Sequence, residues 1–154
     1  EKRDRMIVLG KESLRVLIEH AQARRVQLAL ENGQRRDYDE VLENCLAEFG
    51  GPTVGFCYDS GHENVQGTCF QMLQKHRGRL LTLHLHDNRG KDTHQLPYEG
   101  NIPWDKFREV FSRLDYHGNL PLEPDRSGSQ FKGDLAVFLT EAYQRAQRLL
   151  EPVG

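Results

Sequence analysis

Residues 80–104, L-L-T-L-H-L-H-D-N-R-G-K-D-T-H-Q-L-P-Y-E-G-N-I-P-W, decide the fold. An apolar run (Leu80, Leu81, Leu83, Leu85) closes on His84, His86 and Asp87. A basic turn, Arg89-Gly90-Lys91, then leads to a second acid–imidazole pair, Asp92 and His94. The Pro97–Gly100 turn and Asn101-Ile102-Pro103 open a helix near Trp104. A strand whose far end carries His and Asp and feeds a polar loop is how a parallel α/β protein presents ligands at the carboxyl edge of its sheet. The stretch reads as a metal-binding edge.

Working outward, the same strand–helix alternation recurs on both sides. Residues 1–10 are polar, then apolar from Met6 to Leu9, and no element is assigned to them. Leu14, Leu17, Ile18 and Ala21 recur at helical spacing and predict a helix over Glu12–Arg25. Val26–Glu31 predicts a strand, Tyr38–Phe49 a helix, and Gly50-Gly51-Pro52 a break. Thr53–Asp59 is the next strand, and Val65–His76 a helix entered through Ser60-Gly61-His62. After the strand Leu80–His86 come a helix over Trp104–Leu114, a short strand Leu120–Glu123 and a closing helix Leu135–Leu150. No linker or domain boundary interrupts residues 1–154, which read as one domain. Strands alternating with helices predict parallel strands with right-handed crossovers.

Each of the four strands carries Glu, Asp or His at its end: Glu31, Asp59, His84 and Glu123. One acidic strand end is ordinarily a helix cap or a solvated loop. Four at equivalent ends lie on one rim, where their side chains converge. Carboxylates beside an imidazole suit a divalent ion such as Mn²⁺, Mg²⁺, Co²⁺ or Zn²⁺. No cysteine stands at a strand end, which argues against a thiolate zinc site. Alternation places His84 and His86 on one side of the strand, so spacing alone leaves either as the ligand. Arg89 and Lys91 form an exposed turn or an anion site for phosphate or carboxylate. His20, His76 and His117 have no convergent partners and read as surface residues.

The segments A-L-E-N (29–32), G-F-C-Y-D-S-G-H (55–62), H-L-H-D-N (84–88), D-T-H-Q-L-P-Y-E-G-N-I-P-W (92–104) and Y-H-G-N-L-P-L-E (116–123) occur in one order. Together they resemble the xylose-isomerase-like barrels, which include sugar phosphate isomerases/epimerases and the endonuclease IV type of apurinic-site nuclease. The resemblance implies the metal ligands Glu31, Asp59, His84 and Glu123, with Glu31 and Glu123 also exchanging a proton with substrate. It further implies that His62, Asp92 and His94, with His86 beside them, hold additional metals in the nuclease branch. In the isomerase branch they line the pocket or tie down the loop; His62 there, and Arg89 as an anion site in the basic turn, are the expected substrate-binding residues. A complete barrel of this kind has eight strands and ~250 residues. The four units here resemble its C-terminal half, strands five to eight.

Composition narrows the functional field. The chain has 154 residues, 37% hydrophobic and 29% charged. It has no apolar run near the ~20 residues that span a bilayer. Glu1-Lys2-Arg3-Asp4-Arg5 lacks the apolar core of a secretory signal, so the sequence reads as cytoplasmic. Cys45, Cys57 and Cys69 are odd in number and read as buried free thiols. A net charge of -2 gives no basic excess for nucleic acid.

The first functional expectation is therefore a metal-dependent sugar or sugar-phosphate isomerase/epimerase. An apurinic-site phosphodiesterase with two or three metals is the second, and a non-catalytic half-barrel that binds or assembles is the third. A half-barrel has two open sheet edges and a bare inner face (Ala29, Cys57, Thr82, His84). It therefore needs either a missing N-terminal half or a second copy.

Overall fold

A computed structural model describes residues 1–151. Helix α1 (Lys2–Arg24) is longer than its periodicity predicts. Its polar first turns, given no element from sequence, are held by the Glu1 amino group on Asp4 Oδ2 at 2.9 Å. Arg3–Glu40 at 2.9 Å ties them to the second helix, and Lys11–Glu48 at 2.8 Å and Arg15–Glu48 continue that contact farther along. Leu14 and Ala21 are buried and Ile18 packs on the core, whereas Leu17, predicted on the same face, is exposed. Arg25, in the left-handed region at φ 56°, ends the helix.

Three parallel strands follow, β1 (Leu28–Glu31), β2 (Val54–Asp59) and β3 (Leu80–His84), in spatial order β1-β2-β3. Helix α2 (Arg36–Glu48) connects the first two and buries Leu42, Cys45 and Leu46. The register pairs Glu31 with Cys57 and Asp59 with His84, so these side chains share one face. The opposite face is the core: Phe56, Tyr58, Leu83 and Leu85 are fully buried with Phe70, Leu73 and Phe107.

The predicted fourth strand is reduced to a parallel bridge between Leu85 and Leu122. Leu85 N–H donates to Pro121 O at 3.1 Å, and Glu123 N–H donates to Leu85 O at 3.0 Å. Pro121 and Pro124 flank it without amide hydrogens, so the ladder stops there.

The single helix predicted over 65–76 is replaced by two short ones, α3 (Ser60–Val65) and α4 (Gln71–Lys75). Asp59 starts α3 by accepting the His62 N–H at 2.7 Å, and Gly67 (φ +75°) turns the chain after it. The Glu63 carboxylate then receives the Gln71 and Met72 amides, each at 2.9 Å, and opens α4.

Helix α5 (Trp104–Phe111) is shorter than predicted and runs out in turns to Leu114. Helix α6 (Leu135–Leu150) matches its predicted span, with Asp134 accepting the Val137 N–H at 2.9 Å. His76 is not a surface residue: it is 14% exposed, with Nε2 3.4 Å from Glu43 Oε1 and its ring against Phe56. All three cysteines are free; Cys45 and Cys57 are buried and Cys69 partly so. No helix among the described residues is long and apolar enough to cross a membrane.

Candidate metal centre

The carboxyl ends of the parallel strands carry Glu31, Asp59 and His84, and the Leu85–Leu122 bridge brings Glu123 beside them. One ligand atom from each of these four residues falls within 4.8 Å of the others. His84 Nδ1 is central: Glu31 Oε2 lies at 3.4 Å and Glu123 Oε2 at 3.5 Å. Cys57 lies one residue pair below, on the floor of the group, with its Sγ similarly near Glu31 and His84.

Three carboxylates at such range repel one another unless a cation lies among them. Two buried polar atoms here, Asp59 Oδ2 and His84 Nδ1, have no hydrogen-bond partner. Oxygen donors with one imidazole nitrogen fit a divalent ion of the Mn²⁺, Mg²⁺, Co²⁺ or Zn²⁺ kind.

The electrostatics follow from burial. Desolvation, then the charge of Asp59, raises the Glu31 carboxyl above its ordinary value. Burial also acts to raise Asp59, but the contact and charge of His86, with those of His62, outweigh it and hold Asp59 below the ordinary range. Burial first, then the surrounding Glu31, Asp59 and Glu123, push the Cys57 thiol up to about 12.

A second group, His62, His86, Asp92 and His94, adjoins the first. His62 Nδ1 lies 2.9 Å from the Asn32 carbonyl, and His94 Nδ1 lies 2.9 Å from the Glu123 carbonyl. With Nδ1–H donated in this way, each Nε2 keeps its lone pair. His94 Nε2 is 3.3 Å and His62 Nε2 3.8 Å from Asp92 oxygens. Burial opposes a charged His94, but the Glu123 carbonyl, then Asp92 and Glu123, outweigh it and raise the ring's pKa. Its backbone sits in the left-handed region at φ 46°.

The geometry separates the two histidines that alternation left equivalent. His84 meets Glu31 and Glu123, while His86 is fully buried and meets Asp59 and Asp92. Arg89 joins neither group: it is exposed, and its guanidinium donates to the Glu99 carbonyl at 2.8 Å, which braces the loop after β3.

Asn32 is a site residue that sequence reasoning missed. It is 1% exposed; its Nδ2 donates to Asp59 O at 2.9 Å and its Oδ1 accepts the Asp59 N–H at 2.7 Å. It thereby clasps the β2 end from the β1 end. Its sequence signals were its place directly after the acidic strand end and its position as the last residue of the A-L-E-N segment.

The model of the xylose isomerase-like TIM barrel family matches residues 2–152. The chain belongs to this family. A relative of this xylose isomerase-like chain, the uncharacterized protein y4fM of Sinorhizobium fredii (strain NBRC 101917 / NGR234), is 33% identical over 140 residues. That match covers 88% of this chain and 44% of the relative.

Among solved structures, a D-tagatose 3-epimerase-like protein superposes with a TM-score of 0.71 and 22% identity, over 91% of this chain and 54% of that one. The apo 3-keto-D-glucoside 4-epimerase YcjR from E. coli gives 0.68 and 21%, over 90% and 52%. The IolI protein with a bound zinc atom gives 0.68 and 18%, over 96% and 55%. The chain thus spans about half the length of the proteins it matches, and its parallel α/β architecture is that of a half-barrel of this family.

Proposed function

We propose that this chain supplies the catalytic rim of a divalent-metal-dependent isomerase or epimerase acting on a sugar or sugar phosphate. The observation that carries the reading is the convergence of Glu31, Asp59, His84 and Glu123, with Asp59 Oδ2 and His84 Nδ1 buried and unpartnered. The four residues would hold the ion. When bound, it polarises a substrate carbonyl and stabilises the negative charge that develops on oxygen.

Proton transfer next to that carbonyl falls to the chain's own carboxylates. Glu31, on the outer strand β1, has its basicity raised by burial and by Asp59, which suits it to accept a proton near neutral pH. Glu123, beyond β3 on the other side of His84, returns a proton to the adjacent carbon or oxygen. The epimerases named among the structural neighbours support this substrate class, and the zinc in the IolI structure supports the ion. Arg89, exposed on the loop after β3 with one guanidinium nitrogen on the Glu99 carbonyl, would offer its remaining donors to an anionic group of the substrate. The wall that completes the pocket comes from a second barrel half, either an N-terminal one or another copy.

Calorimetric titration of the metal-stripped chain with Mn²⁺ tests the reading. Wild type binds, and Glu31→Gln and Glu123→Gln bind at least tenfold more weakly with unchanged circular dichroism. Equal binding in these variants refutes the assignment.

A phosphodiesterase with further metals is the second reading, favoured by the lone pairs that His62 and His94 direct toward Asp92. Stoichiometry separates the two: one ion per chain supports the isomerase, two or more the phosphodiesterase.

A further inference from the structure

We infer that His86 is the positioning residue of the metal centre: it holds one oxygen of Asp59 so that the other is left to bind the ion. The inference rests on the metal reading above and concerns a residue outside the four ligands.

The backbone of His86 cannot drift. Ser60 Oγ donates to its carbonyl at 2.8 Å and accepts its N–H at 3.1 Å, and Ser60 is itself buried. The imidazole is confined on several sides. A Cβ on Gly61 would overlap the ring, so only glycine leaves room for it. The His94 ring stacks flat on it, with centroids 3.9 Å apart and planes 7° apart, and His62 meets it edge-on at 6.0 Å.

This packing fixes where Nε2 points. It lies 3.1 Å from Asp59 Oδ1, an atom that also receives the His62 N–H at 2.7 Å. Oδ1 is thus approached from two directions, by the His62 N–H and by the His86 ring, while Oδ2 is buried and unpartnered, and a carboxylate oxygen of Asp59 falls within the ligand group with Glu31 and His84. A carboxylate fixed through one oxygen presents the other with little loss of freedom on binding. His86 Nε2 is 3.8 Å from Asp92 Oδ1, so the same nitrogen stands between the two groups and sides with Asp59 by proximity.

The test is calorimetric Mn²⁺ titration of the full chain, with melting curves of the stripped protein as a fold check. His86→Leu fills the buried site without a polar atom. Its Mn²⁺ affinity falls about 10- to 100-fold, the usual effect of losing a partner behind a ligand, while the stripped protein still melts cooperatively. His86→Gln, whose amide nitrogen reaches the Nε2 position, stays within about threefold of wild type by the same reasoning. His86→Asn, whose amide stops at the Nδ1 position, falls like leucine.

The Gln and Asn pair decides the matter if leucine does not fold, because both are polar and differ only in reach. Wild-type affinity in His86→Asn, or an equal loss in Gln and Asn, overturns the positioning role while the metal centre stands. Failure of wild type itself to bind Mn²⁺ overturns the metal reading and this inference with it.

Discussion

Asp87 accepts the indole Nε1–H of Trp104 at 2.8 Å across the whole loop that separates β3 from α5. Its other oxygen takes the Asn88 and Ile102 amides at 2.8 and 3.2 Å, and the side chain is fully buried. Gly100 packs against the same carboxylate, with no space for a Cβ. The acid next to the two strand-end histidines is therefore structural: it closes the loop that carries Asp92 and His94.

Asp87→Ala leaves three buried donors without an acceptor. A destabilisation of about 2–4 kcal/mol is expected. Trp104 is the only tryptophan, so urea denaturation followed by its emission reads both the stability loss and a red shift in the folded state. Unchanged stability would show that the carboxylate is dispensable.

How much of this was readable beforehand depends on what each feature rests on. The rim residues Glu31, Asp59, His84 and Glu123 were legible because apolar runs mark strands and a strand's end is a definite place. His84 and His86 were not separable, since alternation puts both on one side; only the folded chain sets His84 against Glu31 and His86 against Asp59. The misplaced helix at 65–76 came from capping: Asp59 accepts the His62 N–H and Glu63 the Gln71 and Met72 amides, contacts that start and restart a helix without leaving a hydrophobic period. The start of α1 was invisible for a similar reason, being held by charges on α2. Proline neighbours of Leu122 were in plain view, and they account for the shortness of the fourth strand.

Glu31→Gln is expected to raise the melting midpoint of the metal-stripped protein at neutral pH. The Glu31 carboxyl titrates higher folded than unfolded, so its ionisation opposes folding as pH rises from the unfolded through the folded value. The neutral variant escapes that penalty. The gain is on the order of 1–2 °C, because Glu31 is partly open to solvent, which screens the repulsion. It should disappear as pH falls below the ordinary carboxylate range, where both forms are neutral. Differential scanning fluorimetry across pH checks the sign; a lower midpoint at neutral pH contradicts it.

Cys57 should resist alkylation in the native chain. With its thiol pushed up to about 12, roughly one molecule in ten thousand carries the thiolate at pH 8. Iodoacetamide followed by peptide mass spectrometry should leave Cys57 unmodified until denaturant is added. Rapid native labelling would mean the floor of the site is more open than its 2% exposure.

Ala29 is exposed on the same sheet face as Glu31, on the edge strand β1, and Val16 and Leu17 are exposed on α1. Leaving a few hundred Å² of apolar surface bare forgoes several kcal/mol at about 25 cal/mol per Å², against a total stability of about 5–15 kcal/mol. The chain is expected to self-associate, or to bind a complementary barrel half, at low micromolar concentration. Sedimentation velocity gives the answer; a cooperatively folding monomer would show that these edges need no cover.

Asp59 ends β2 and caps α3, so no residue lies between the two elements. This junction has no evolutionary slack: an insertion or deletion would break the strand register, the cap and the rim together. Any length change that spares the rim therefore has to fall outside this junction, in a connection that neither ends a ligand-bearing strand nor caps the helix after it.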